Sequence, residues 1–135
     1  MGEVTLETAA DFAVSYLDAM QARDLDKARA HVGDPIAITF PGGRRFFGID
    51  EIAKNSGARY KTVRKNIQRR DTWANGDTIC VLISGLLYGE WPDGTAFDGI
   101  RFTDRFEIRH GKITRQEVWN DTGERLLALQ REGIA

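Results

Sequence analysis

Cysteine is almost missing from this chain. Cys80 stands alone among 135 residues, which excludes an intrachain disulfide and any cysteine-based metal cluster. Such cysteine usage predicts a reducing cytoplasm as the compartment. Histidine is nearly as scarce: only His31 and His110 occur, and neither lies among carboxylates at ligand spacing or completes a serine–histidine–aspartate set, so no metal and no cofactor are expected. Long apolar runs are absent. None approaches the roughly 20 residues that cross a bilayer, and the opening MGEVTLETAADFAVSYLDAM carries acids where an export signal needs bases, so no membrane partner is expected. A charge excess is lacking too. Nineteen Lys and Arg against 20 Asp and Glu leave a net charge of -1, giving no bulk attraction to nucleic acid. Without repeats or low-complexity segments, the length suits one domain, 1–135, with a single core.

What is present is strongly patterned. Between Thr95 and Asp121, TAFDGIRFTDRFEIRHGKITRQEVWND alternates at a two-residue period. Ile100, Phe102, Phe106 and Ile108 fall on one side, and Arg101, Thr103, Arg105, Glu107 and Arg109 on the other. Asp104 breaks the apolar side. A lone carboxylate there is costly unless it is protonated, hydrogen-bonded or in contact with a ligand.

Upstream, Thr5 or Thr8 can cap a first helix that carries Phe12, Tyr16, Leu17 and Met20 at helical spacing. A short second helix follows Asp24, then the strand IAITF, a PGGRR turn and a third helix opening at Asp50. The run from Lys61 to Trp73 is strand-like and basic, which reads as a solvated or edge strand. Nucleic-acid contact is disfavoured because no aromatic residues interleave its charges. Arg44 and Arg45 read as exposed loop charges, although an arginine at a cavity mouth would suit an anionic substrate. TICVLISGLLY is apolar at consecutive positions and so is covered on both faces.

WPDG predicts a three-residue hairpin loop pairing Trp91 with Thr95. Counting from it places Leu82 opposite Asp104, Tyr88 opposite Asp98 and Cys80 beside Phe106. It also puts Ile79, Val81 and Ile83 on the outer face as a dimer surface. A two-residue His110–Gly111 loop sets Glu117 across from Asp104, while a three-residue loop sets Gln116 there. The layout is α+β, with one curved antiparallel sheet wrapped around the N-terminal helices and enclosing a cavity.

YLDAMQARDLDKARAHV near the front and RFTDRFEIRHGKITRQEVWND near the end resemble the nuclear transport factor 2-like superfamily, in its SnoaL-like and ketosteroid isomerase-like branch. The resemblance implies a cone-shaped α+β barrel of the cystatin-like type, often dimeric through the sheet. It carries the oxyanion-donor tyrosine of ketosteroid isomerase onto Tyr16 and its protonated aspartic acid onto Asp104. The isomerase's base falls on Phe40, and the last-strand acid of the epoxide hydrolases and cyclases falls on Val118, so neither role transfers. The comparison favours the three-residue loop and turns Gln116, Val118 and Asn120 toward the cavity.

The expected site therefore has Asp104 and Tyr16 as catalytic groups. Its ligand pocket is drawn from Phe12, Met20, Phe40, Leu82, Tyr88, Phe102, Phe106, Gln116, Val118 and Asn120. The expected partners are a small apolar, oxygen-bearing molecule and a second copy of the chain. Isomerisation, cyclisation, dehydration and hydrolysis all suit an acid with a raised pKa. The alternative is a non-catalytic ligand-binding or dimeric module, favoured by the apolar residues at Phe40 and Val118.

Overall fold

The computed structural model describes residues 3–134. Helix α1 (Ala9–Gln21) follows a turn closed by Thr5 and Thr8 and buries Ala9, Ala13, Tyr16 and Leu17. Its alanines let it lie close to the sheet, and its larger residues fill the space beneath. Helix α2 (Leu25–His31) starts on Asp24, whose carboxylate accepts from the Lys27 amide at 3.2 Å. Strand β1 (Val32–Thr39) begins earlier than IAITF alone suggests. After β2 (Arg45–Phe46) comes α3 (Ile49–Arg59), which buries Ile49 and Ile52. Four long strands then run in antiparallel hairpins: β3 (Thr62–Asn75), β4 (Thr78–Glu90), β5 (Ala96–Arg109) and β6 (Lys112–Asn120). Helix α4 (Thr122–Ile134) closes the described chain.

The strand order is β2-β1-β6-β5-β4-β3, with β1 parallel to β6. The two edges do not pair, so the cone is an open curved sheet. The basic strand β3 is indeed an edge strand, where solvent meets its charges. Its register shifts between Ile67 and Arg69, and further irregularities interrupt β5 and β6. Each bulge adds local twist, and together they bend the sheet around α1.

Those bulges also correct two counted registers. The loop end behaves as expected, with the Trp91 amide donating to the Thr95 carbonyl at 2.9 Å. Beyond it, Gly99 at φ 70° is an extra residue in β5, and Leu87 pairs with Ile100 rather than Gly99. Everything above moves by one position. Ile83, not Leu82, faces Asp104, and Val81, not Cys80, pairs with Phe106. Because side chains alternate, Leu82 and Tyr88 turn to the outer face, while Val81 and Ile83 are fully buried inside. Neither Leu82 nor Tyr88 is a pocket residue. The outer face is built from Cys80, Leu82, Ser84, Leu86 and Tyr88 instead of Ile79, Val81 and Ile83.

At the next hairpin the loop has two residues, with Arg109 paired to Lys112 and both His110 and Gly111 at positive φ. A bulge at Thr114 then restores the other parity and sets Val118 opposite Asp104. The three-residue loop is therefore wrong, and so are both Glu117 and Gln116 as partners of Asp104. Gln116 and Val118 still face inward, as expected.

Beside the start of α4, Trp91 and Phe97 rings lie 4.3 Å apart next to Tyr60, whose hydroxyl is 2.8 Å from Thr122 Oγ1. No helix among the described residues is long and apolar enough to cross a membrane.

Candidate functional site

The concave side of the sheet, α1 and α3 enclose a cavity of about 130 Å³. Of the expected residues, Tyr16, Met20, Phe40, Gln116 and Val118 line it. The others stand elsewhere. Phe106 is wholly buried behind Tyr16, with ring centroids 6.0 Å apart and nearly perpendicular. Phe12 packs beside His31 at 4.8 Å, away from the lining. Asn120 accepts the Thr122 amide at 3.2 Å and so serves the start of α4. Phe102 is buried and does not line the cavity.

Asp104 has no exposed surface at all. Its Oδ2 accepts a hydrogen bond from Lys65 Nζ at 2.6 Å, and Oδ1 has no partner among the described residues. Lys65 is the site residue that the sequence reading missed. It stands between Val63 and Ile67 on the half-buried side of β3, whose exposure alternates through this stretch. That V-x-K-x-I alternation was the available signal, because a lysine in register with apolar neighbours needs a buried partner. The lysine stem must cross β4 to reach β5. Gly85, paired with Ile67 on one side and Phe102 on the other, has no Cβ to clash with the Asn66 carbonyl, so the β3 bulge can close on β4 there. The ammonium then lies 5.1 Å above the Phe102 ring, a second favourable contact.

Lys65 forms part of the cavity wall whereas Asp104 does not, so the acid acts on the cavity through the lysine. An ammonium carries three N–H donors, and Asp104 uses one. Tyr16 donates its hydroxyl to Gln116 Oε1 at 3.1 Å. Burial, and then the negative charge of Asp104, push the Tyr16 pKa well above the usual phenol value, so it stays a neutral donor. Gln116 keeps an amide nitrogen without a protein partner among the described residues. Lys65 and Gln116 thus offer N–H donors at the cavity wall, with Tyr16 setting the amide orientation. Walls of Leu17, Ile52, Val63, Ile67 and Val118 surround them. Such a set can bind and polarise an oxygen atom.

Several other polar and aromatic residues stand away from the cavity. His31 bridges α2 to α1, its ring nitrogens 2.8 Å from Lys27 O and 3.1 Å from Ser15 Oγ. Arg44 and Arg45 lie outside the cavity lining, and so do all three tryptophans. No group of three His, Cys, Asp or Glu among the described residues could hold a metal ion.

A family model described as the SnoaL-like domain matches residues 13–116. The chain belongs to the SnoaL-like family. No curated protein shows significant sequence similarity to it. Solved structures confirm the nuclear transport factor 2-like fold of the family. TerC, co-crystallised with polyporic acid, superposes with a TM-score of 0.70 at 18% identity, over 84% of this chain and 92% of TerC. A protein from Jannaschia sp. CCS1 described as a SnoaL-like polyketide cyclase gives 0.70 at 16% identity, covering 96% and 94%. An NTF2-like protein of unknown function from Burkholderia pseudomallei K96243 gives 0.69 at 19%, covering 86% and 92%.

Proposed function

We propose that this SnoaL-like protein binds a small apolar molecule through one oxygen atom. Acting on it as a cofactor-independent isomerase or cyclase, it would polarise that oxygen with Lys65 and Gln116. The observation that carries this reading is the convergence of those donors on an apolar cavity, each held by a buried partner, Asp104 for Lys65 and Tyr16 for Gln116. A developing enolate or alkoxide would find an ammonium and an amide already oriented as charge grows, and the proton released as it forms would pass to Asp18, the one carboxylate lining the cavity among the described residues. TerC, crystallised with polyporic acid, supports a small-molecule role for the shared fold.

Calorimetry with a panel of aryl ketones tests the reading. Gln116→Leu should weaken binding about ten-fold, the loss of one well-placed hydrogen bond. Unchanged affinity in this variant would remove the oxygen-binding role. Asp104→Asn should reduce both affinity and any turnover found by screening.

A non-catalytic ligand carrier is the second reading, favoured by apolar Phe40 and Val118 on the cavity wall. Turnover that depends on Lys65 and Asp104 excludes it. The outer sheet face, with Trp73, Tyr88 and Trp119 exposed around Leu82 and Leu86, suits a second copy of the chain. Sedimentation showing only monomer at micromolar concentration would refute that pairing.

A further inference from the structure

The 130 Å³ cavity continues into a second hollow of about 210 Å³, and the two share Met20, Gln21, Arg23, Ser56 and Val63. The inner space is comparable to an engineered apolar void of ~150 Å³ that takes one benzene, so it holds about one ring. The remainder of a larger ligand must lie in the outer hollow. Arg23, Lys61 and Arg64 line that hollow. Among the described residues none of these three cations forms an ion pair. Among the described residues the one acid along either wall is Asp18. Arg64 stands on the outer-facing side of β3 opposite Tyr88, so Arg23 and Lys61, two cations against one carboxylate on a chain whose net charge is -1, make this opening a local positive field.

Arg23 is held there at a backbone cost. Its φ is 61°, in the left-handed region just past the end of α1, where glycine or asparagine is the usual residue. The guanidinium Nη1 donates to the Ala53 carbonyl at 3.0 Å, and Gly57 offers no side chain that would crowd it. The remaining N–H groups stay free for a ligand.

Building on the oxygen-binding reading above, we propose that the ligand is an organic oxyanion. Its leading ring and oxygen occupy the inner cavity, and its carboxylate, or a similar anionic group, trails between Arg23 and Lys61. The planar fork of Arg23 suits bidentate recognition of a carboxylate.

A matched pair of probes tests this by calorimetry: para-acetylbiphenyl carboxylate and its neutral carboxamide. The carboxylate should bind about ten-fold more tightly, and added salt should erode the difference. Lys61→Gln, on an exposed side chain, should bring the ratio toward one. Arg23→Gln should do the same. Equal binding of the two probes, or a preference that survives both variants, overturns the oxyanion proposal and leaves the oxygen-binding cavity standing. If neither probe binds, the cavity reading fails and this proposal fails with it.

Discussion

The Lys65–Asp104 pair on the inner face of the sheet and the Arg105 cluster on the outer face are built for opposite surroundings. Inside, Lys65 and Asp104 form a one-to-one pair whose acid is wholly buried and whose lysine side chain is 24% exposed. Outside, Arg105 divides itself among Glu107, Glu117 and the sulfur of Cys80, beneath the face of Trp73. Its carboxylate partners are each about a quarter exposed. An arginine suits the outer place because several donors serve several acceptors in one plane. A lysine suits the inner one because a slim stem can reach across β4 and deliver a point charge. The outer cluster can lose a member and turn its survivors to water. The inner pair has no such recourse.

The largest expected effect breaks the inner side of this contrast. Lys65→Met leaves the Asp104 charge buried without compensation and should cost about 3–5 kcal/mol in urea unfolding. Adding Asp104→Leu should recover most of that loss, because an apolar pair of similar volume replaces two buried charges. A Lys65→Met cost below about 1 kcal/mol would mean that Asp104 is not buried as a charge, and the two clusters would then be energetically alike.

The alternation of β5 was legible in sequence because one buried face and one wetted face impose it. The basic edge strand was legible for the same reason. Facing was harder wherever a bulge intervened. Gly99 in FDGIRF and Thr114 in GKITRQ each add one residue to a ladder, and a single insertion exchanges the two faces. The first insertion sent Leu82 and Tyr88 outward. The second cancelled the wrong loop length, so Gln116 and Val118 faced the cavity for a different reason from the one expected. An Asp-Gly pair within a strand is the usual mark of a bulge and was the available clue at Gly99. Lys65 escaped notice because it sat in a run of five basic residues, whose bulk character hid the one inward position.

A smaller effect sharpens the inner side. Tyr16→Phe removes the hydroxyl that holds Gln116 and should cost about 1 kcal/mol. It should also change the alkaline limb of the stability curve. Burial, then Asp104, raise the Tyr16 pKa in the folded state, while the unfolded tyrosine titrates near about 10. The stabilisation from a raised pKa is complete below the unfolded value and is lost as pH climbs from there toward the folded one. Stability of the natural chain should therefore fall above about pH 10, and that of Tyr16→Phe should fall less steeply. Parallel curves would show that neither burial nor Asp104 raises the phenol's pKa in the folded state.

The smallest effect belongs to the outer cluster. Arg105→Gln should change monomer stability by less than about 1 kcal/mol, because its partners are partly hydrated already. Arg115 Nη2, 3.7 Å from Glu117 Oε2, remains to hold one of them. Urea unfolding at two protein concentrations makes the comparison decisive. A small, concentration-independent change keeps the outer cluster in the hydrated class. A loss as large as that of Lys65→Met, growing as the protein is concentrated, would mean that a second copy dries this face in the assembled state. The linkage between assembly and stability would then make Arg105 an interface residue, and the contrast between the two faces would hold for the isolated chain alone.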